Sequence, residues 1–396
     1  MKFVFSKSPK PDQFAESDWN NWTWQLRHSL KTQADFEKHF ELSAEERAAF
    51  QGGKELFNIR TTPYYASLAT GRGGDSLRQI LMPHRRELEG GAQQMLDPLG
   101  EKKNNPAPRV IHRYSDRALF LITDICSVYC RFCTRKHFTG QEQAFIKSEE
   151  YEQALAYIRN HTGLREVILS GGDPLTVSDA QLERVLSDLR QIEHIEIIRI
   201  GTRMPVVCPM RITDDLVKIL KKYKPVYLMS HFNHPQELTE EAAMALERLV
   251  DNGVPVMNQM VLLNGINNHP ALVQALNRRL LYLRVKPYYM FQCDPSIGTD
   301  HLRTSIEDSL EIQKELWGHL SGLAMPHLSV DIPEGGGKTY LVPNFQVGQE
   351  GTTRHFVGWD GVRAEYVSPS AESIRKPDAS LYEEEWHLLK NSKNRS

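Results

Sequence analysis

Cysteine is scarce in this sequence, long hydrophobic runs are absent, and neither sign of charge dominates. Each shortage excludes a class of protein. The five cysteines, at 126, 130, 133, 208 and 293, make an odd number, and the chain opens without the apolar core of a signal peptide. A disulfide-stapled secreted fold is therefore not expected. No apolar stretch approaches the roughly 20 residues that span a bilayer, so no membrane partner is expected and the cytoplasm is the expected compartment. Lys and Arg total 48 against 50 Asp and Glu, a formal net charge of −2. That balance, with no dense basic stripe, argues against a nucleic-acid partner. A phosphate loop is also missing. Glu334-Gly-Gly-Gly-Lys338-Thr339 resembles one, but Ile332 stands where the motif needs glycine.

What is present is order along the chain. Trp19, Trp22, Leu26 and Leu30 put one apolar face on a helix over Asp18–Thr32. Ser43 followed by Glu46 forms a capping box for the next helix. Loops follow at 70–76 (TGRGGDS) and 101–109 (EKKNNPAPR). The second marks the boundary between an N-terminal helical region, 1–108, and a βα region, 109–320. Within the βα region, apolar strand-like runs cover Ala118–Thr123, Glu166–Leu169, Ile195–Gly201, Val226–Ser230, Val254–Leu262 and Val285–Gln292. Helical stretches such as Ser178–Gln191, Thr239–Asn252 and Pro270–Leu283 separate them. Strands this apolar, alternating with helices, imply parallel βαβ units. Six units predict an α/β fold, a partial (β/α)6 barrel. After Leu320 the rhythm breaks, leaving a C-terminal segment and tail, 321–396, that ends KNSKNRS.

Three of the cysteines crowd into one loop past the first βα strand, Cys126-Ser-Val-Tyr-Cys130-Arg-Phe-Cys133. Thiolates at such spacing can converge on one metal centre. Structural zinc usually wants four ligands, and no second cysteine pair exists here, although His137 can complete a zinc site. Three ligands on a cubane leave one iron open. The C-x3-C-x-aromatic-C pattern resembles the radical S-adenosylmethionine superfamily, whose [4Fe–4S] cluster binds S-adenosylmethionine on that open iron. Polar residues also end most of the predicted strands, where barrel chemistry gathers. They are Ser170-Gly171-Gly172-Asp173, Gly201-Thr202-Arg203, Ser230-His231 and Cys293-Asp294, with Gln259 toward the middle of its run. In SGGDP the glycines let backbone approach a ligand and Asp173 can take an ammonium, or the segment is only a βα turn.

Lys338, after its glycine run, suits a Schiff base with an aldehyde cofactor, or is a solvated loop lysine. Asp294 and Asp331 follow apolar runs and can face one cation, or cap turns. Arg113, Arg117 and Arg135 flank the cysteines, and arginine forks suit phosphate and carboxylate, or water.

These elements together resemble the lysine 2,3-aminomutase family, from about Trp19 to about Asn344. The carriers are IHRYSDRALFLITDICSVYCRFCTRKHF, ILSGGDPL, GTRMPVVCPMRIT, SHFNHPQELT, NQMVLLNGIN, PYYMFQCD and VDIPEGGGKTYLVPN. The resemblance implies that Cys126, Cys130 and Cys133 hold the cluster and that Lys338 carries pyridoxal 5′-phosphate. It implies Arg113, Tyr114 and Arg117 around the cofactor phosphate, Arg135 on the substrate carboxylate, and Asp294 with Asp331 on the side-chain ammonium of lysine. Ser170, Gly171, Gly172, Asp173, His231 and Gln259 match positions that contact the nucleotide. The implied reaction moves the α-amino group of lysine to the β-carbon. It also implies a small amino-acid substrate, a flavodoxin- or ferredoxin-type electron donor and a homo-oligomer. Arginine or another cationic amino acid is the alternative substrate, and a non-catalytic iron–sulfur or zinc module is the alternative of a different class. Two departures stand out. No cysteine follows Cys293 and His269 occupies the NNHP loop, so the structural zinc of the clostridial type is not expected; and Phe132 stands where many relatives carry histidine.

Overall fold

The computed structural model describes residues 2–52, 58–69, 75–91, 94–136, 139–140 and 144–391. His137, five of the seven residues of the 70–76 loop and the last five residues of the chain lie outside them.

A nine-stranded sheet organises the chain, its strands lying in sequence order. They are β1 (Val110–Tyr114), β2 (Arg117–Thr123), β3 (Glu166–Gly171), β4 (Ile197–Gly201), β5 (Val226–Ser230), β6 (Val256–Leu262), β7 (Lys286–Gln292), β8 (His327–Ile332) and β9 (Gly337–Tyr340). Strands β2 to β8 run parallel. The outer strands β1 and β9 pair antiparallel to their neighbours. Helices Ser148–Asn160, Asp179–Arg190, Asp214–Lys222, Glu240–Asp251, Pro270–Tyr282 and Ile306–Leu316 make the crossovers. The expected partial barrel of six βα units is therefore present, with β2 to β7 matching the six apolar runs. The series continues into β8, whose mixed sequence HLSVDI shows no apolar run because both its ends are exposed.

Local chemistry explains the helices. Side chains of Ser178, Thr213, Thr239 and Ser305 each accept a main-chain N–H in the first turn. The Ser43–Glu46 capping box is formed in both directions, at 2.7 and 3.2 Å. The single helix expected over Asp18–Thr32 is instead two, Glu16–Trp19 and Trp22–Arg27. Asn21 breaks it: its side-chain oxygen accepts from the N–H groups of Thr23 and Trp24, starting a new helix.

Strand alternation sorts the side chains. Val167, Leu169, Ile198 and Ile200 are fully buried with Leu182, Val185, Leu186 and Leu189 of the next crossover helix. The alternate residues, including Ser170 and Arg199, face the barrel interior. Gln259 shares its face of β6 with Met257 and Val261, all half-buried, beside a register shift at Asn258/Gln259. Beyond β9 lies a separate antiparallel sheet of β10 (Gln346–Glu350), β11 (Thr353–Val357) and β12 (Arg363–Val367), then the helix Ser380–Asn391. Among the described residues no helix is long and apolar enough to cross a membrane.

Candidate active site

The cysteine loop leaves β2 at Thr123 and is clamped from both sides. Arg109 ion-pairs with Asp124 at its start. From β3, the N–H of Gly172 donates to the Thr123 carbonyl at 2.7 Å and that of Asp173 to the Ile125 carbonyl at 2.8 Å. Gly171 has φ +126°, and a Cβ on it would lie 2.2 Å from the Thr123 oxygen. A Cβ on Gly172 would lie 2.2 Å from the Ile125 oxygen. The two glycines thus allow backbone to pack on backbone beneath the cysteines. Asp173 is buried, and both carboxylate oxygens already accept from protein donors: Leu175 N–H at 3.0 Å, the Thr202 hydroxyl at 2.7 Å and Arg203 N–H at 2.8 Å. It ties β3 to β4.

Cys126, Cys130 and Cys133 are half-buried free thiols. Burial, then the charges of Cys133, Asp173 and Cys130, push the Cys126 thiol well up. Burial and Cys130 raise Cys133, opposed by the Arg135 N–H that donates to its sulfur at 3.3 Å. The three sulfurs therefore share one electrostatic site in which their thiolates repel. Among the described residues no three His, Cys, Asp or Glu side chains stand close enough to hold a single ion. A cubane, which takes each thiolate on a different iron, suits this donor set and removes the repulsion.

His231 follows β5. Its ring lies 5.5 Å from that of Phe132, and its Nε2 is buried without a hydrogen-bond partner. Burial and the nearby Arg203 push its pKa down to about 3, so it stands as a neutral imidazole with an unused nitrogen. Arg135 is gripped in two places. Its guanidinium donates to Glu101 at 2.7–3.0 Å and to the Ser170 hydroxyl at 2.9 Å.

Lys338 lies in β9 directly opposite Asp331 in β8, so the antiparallel register sets them side by side. The ammonium is 3.3 Å from the Asp331 carboxylate and 5.2 Å from the centre of the Phe291 ring. Arg113 approaches the same carboxylate at 3.7 Å. The Lys338 main-chain N–H donates to the Tyr114 hydroxyl at 2.9 Å, joining the two outer strands of the sheet. Arg117 stacks on Tyr114, 3.9 Å from its ring centre, and pairs with Asp116. Burial and Asp331 raise the Asp294 carboxyl to about 7, although Lys338, Arg113 and Arg303 oppose the shift. Two acids and two cations thus meet at one point. The Nη1 of Arg113, the atom 3.7 Å from Asp331, is buried without a hydrogen-bond acceptor and so has donor capacity left for a phosphate oxygen. These residues fit an aldehyde cofactor with a phosphate.

Sequence reasoning missed Glu101, Tyr65 and Glu237 and left Arg203 without a partner. Arg203 donates to the Cys130 sulfur at 2.8 Å and to Glu237 at 2.7 Å. No local motif announces such pairs, since their members lie 73 and 34 residues apart.

Two family models match the chain: Radical SAM superfamily over residues 120–273 and Lysine-2,3-aminomutase over residues 313–394. L-lysine 2,3-aminomutase of Clostridium subterminale is 44% identical over 90% of this chain and 86% of its own length. L-lysine 2,3-aminomutase of Bacillus subtilis is 42% identical over 92% and 78%. Glutamate 2,3-aminomutase of Clostridioides difficile is 40% identical over 91% and 86%. With the cysteine loop at the end of β2 and such identity across nine-tenths of its length, the chain belongs to the lysine 2,3-aminomutase family of radical S-adenosylmethionine enzymes.

Proposed function

We propose that the protein is an isomerase that moves the α-amino group of L-lysine to the β-carbon, giving β-lysine. Family membership brings S-adenosylmethionine and a [4Fe–4S] cluster; pyridoxal 5′-phosphate is our reading of Lys338 and its surroundings. The observation that carries the substrate is the Asp294–Asp331 pair beside Lys338. Two carboxylates at one point attract an ammonium and repel the side chain of glutamate, the substrate named for one relative.

In this reading Cys126, Cys130 and Cys133 ligate the cluster. Ser170, His231 and Gln259 face the nucleotide, with the His231 Nε2 as an available donor or acceptor, while Gly171, Gly172 and Asp173, expected from the resemblance to touch it, are engaged with protein and support the cysteine loop beneath it. Arg113, Tyr114 and Arg117 take the pyridoxal phosphate group and Lys338 takes its aldehyde. Arg135, braced by Glu101, takes the substrate carboxylate. Asp294 and Asp331 take the side-chain ammonium, in competition with the Lys338 ammonium that Asp331 now holds. When bound, the cluster and nucleotide supply a carbon-centred radical, and pyridoxal phosphate supplies the carbonyl that carries the migrating nitrogen. The chain's own contribution is orientation: one end of the substrate fixed by Arg135, the other by the aspartates, and the β-carbon between them.

Arginine would use the same aspartates and is the second reading. A non-catalytic iron–sulfur or zinc module leaves Lys338, Asp294 and Asp331 without a role. We also propose a flavodoxin- or ferredoxin-type reductant, a cytoplasmic setting and a homo-oligomer. The test is Asp294→Ala and Asp331→Ala in anaerobically reconstituted enzyme. Lysine turnover falls at least tenfold while cluster iron stays at the wild-type level; unchanged turnover contradicts the assignment.

A further inference from the structure

We propose that Arg203, fixed by Glu237 and Tyr65, sets the reduction potential of the cluster through its bond to Cys130. The inference rests on the reading of Cys126, Cys130 and Cys133 as cluster ligands.

Arg203 follows β4 with its side chain 9% exposed. Every nitrogen of the guanidinium has an acceptor. Nη1 donates to the Cys130 sulfur at 2.8 Å, Nη2 to Glu237 at 2.7 Å and to the Tyr65 hydroxyl at 3.0 Å, and Nε to the His231 carbonyl at 3.3 Å. The Tyr65 hydroxyl in turn donates to Glu237 at 2.7 Å. The second Glu237 oxygen accepts from the N–H groups of Asn233 and His234. Glu237 and Tyr65 are wholly buried. This network holds the cation against one sulfur and allows it little movement. Cys133 accepts the Arg135 main-chain N–H at 3.3 Å, a neutral donor in place of a bonded guanidinium.

Reduction adds one electron and increases the negative charge on the cluster sulfurs, taking [4Fe–4S]2+ to [4Fe–4S]+. A hydrogen-bonded cation beside a ligand sulfur stabilises the reduced form and raises the potential. Burial makes the effect larger than it would be in water. Guanidinium does not lose its proton, so the bias is constant. Glu237, one guanidinium further out, acts in the opposite direction and also fixes the cation. Arg203 is a positioning and tuning residue: it acts through Cys130.

The experiment uses full-length wild type, Arg203→Gln, Arg203→Lys and Glu237→Gln, reconstituted anaerobically without nucleotide or substrate. A low-potential reductant with redox mediators supplies the electron, and paramagnetic resonance reads the reduced cluster. In Arg203→Gln the ratio of reduced to oxidised cluster at a fixed solution potential falls at least tenfold, a shift of about 59 mV downward for a one-electron couple. Arg203→Lys falls between this and wild type, and Glu237→Gln shifts upward. Wild-type midpoints in both glutamine variants at full iron content, or shifts of the same sign, overturn the proposal. Where Arg203→Gln holds no cluster, the sign in Glu237→Gln decides alone. A wild-type protein that binds no cluster overturns the functional reading itself, and this inference with it.

Discussion

Among single residues, Asp294 makes the most specific statement about chemistry. Its carboxyl is raised to about 7 by burial and by Asp331. An unfolded aspartate titrates near 3.8. Between those values the folded chain holds a proton that the unfolded chain has released, so this group favours folding most below pH ~4. That contribution is lost as pH rises through 7. A bound ammonium reverses the preference, because it favours the ionised carboxylate. Lysine affinity therefore rises as pH increases through about 7, and Asp294→Asn flattens the rise. Calorimetric titration of the pyridoxal-loaded protein on either side of that pH tests this, and a wild-type affinity independent of pH contradicts it. Lys338→Ala provides a second test at the same scale. It abolishes the visible absorbance of lysine-bound pyridoxal and leaves the cluster in place; retained pyridoxal absorbance assigns the cofactor to another lysine. At this scale the sequence was most legible where chemistry is local. Three cysteines in eight residues and a lysine after three glycines carry their signal in one stretch. Glu101 was invisible because its partner Arg135 is 34 residues away and the intervening loops give no periodic cue.

Elements place these residues, and two turns matter most. The β3 turn at Gly171-Gly172 supports the cysteine loop through backbone contact. Its glycines were legible, but their purpose was not: spacing cannot distinguish room for a ligand from room for a neighbouring strand. A methyl group at Gly171 meets the Thr123 carbonyl in a backbone conformation that side chains rarely adopt. Gly171→Ala therefore destabilises the fold by about 2 kcal/mol or more and reduces cluster loading. Urea unfolding measures the first and iron content the second; wild-type values for both contradict the packing account. The other turn is Pro333–Gly335, which leads into Lys338. It rests on the residues just before the loop 101–109, the domain boundary expected from the sequence. The Glu334 N–H donates to the Pro98 carbonyl at 3.0 Å, and Asp97 accepts from the N–H groups of Glu101 and Lys102. Residues 97–104 thus touch the Lys338 hairpin on one side and, through Glu101, the cysteine loop on the other. A Gly/Pro/Asn-rich composition reads as a boundary, and only tertiary structure shows that this stretch connects the two halves of the site.

For the whole molecule, the barrel was legible because apolar strands and capped helices alternate six times. What lay beyond Leu320 was not. β8 is too mixed in composition, and β9 is recognisable only by its pairing with β8. The sheet nevertheless brings its first and last strands together at Tyr114 and Lys338, so chain order itself assembles the pocket. The C-terminal part leaves Val347, Trp359, Tyr366 and Trp386 each more than half exposed. In the proposed homo-oligomer a second copy covers some of these side chains. Light scattering of the 45.4 kDa chain is expected to give the mass of two or more copies, and a single-chain mass contradicts the oligomer.

The account as a whole depends on which amino acid enters the pocket of Asp294, Asp331 and Lys338. The direct measurement is anaerobic incubation of the reconstituted enzyme with lysine, arginine and glutamate separately, with the amino isomers resolved by chromatography and mass spectrometry. The account predicts β-lysine from lysine and no isomer from glutamate. The β-isomer of arginine or glutamate in place of β-lysine, or no isomer from lysine with both cofactors loaded, contradicts it.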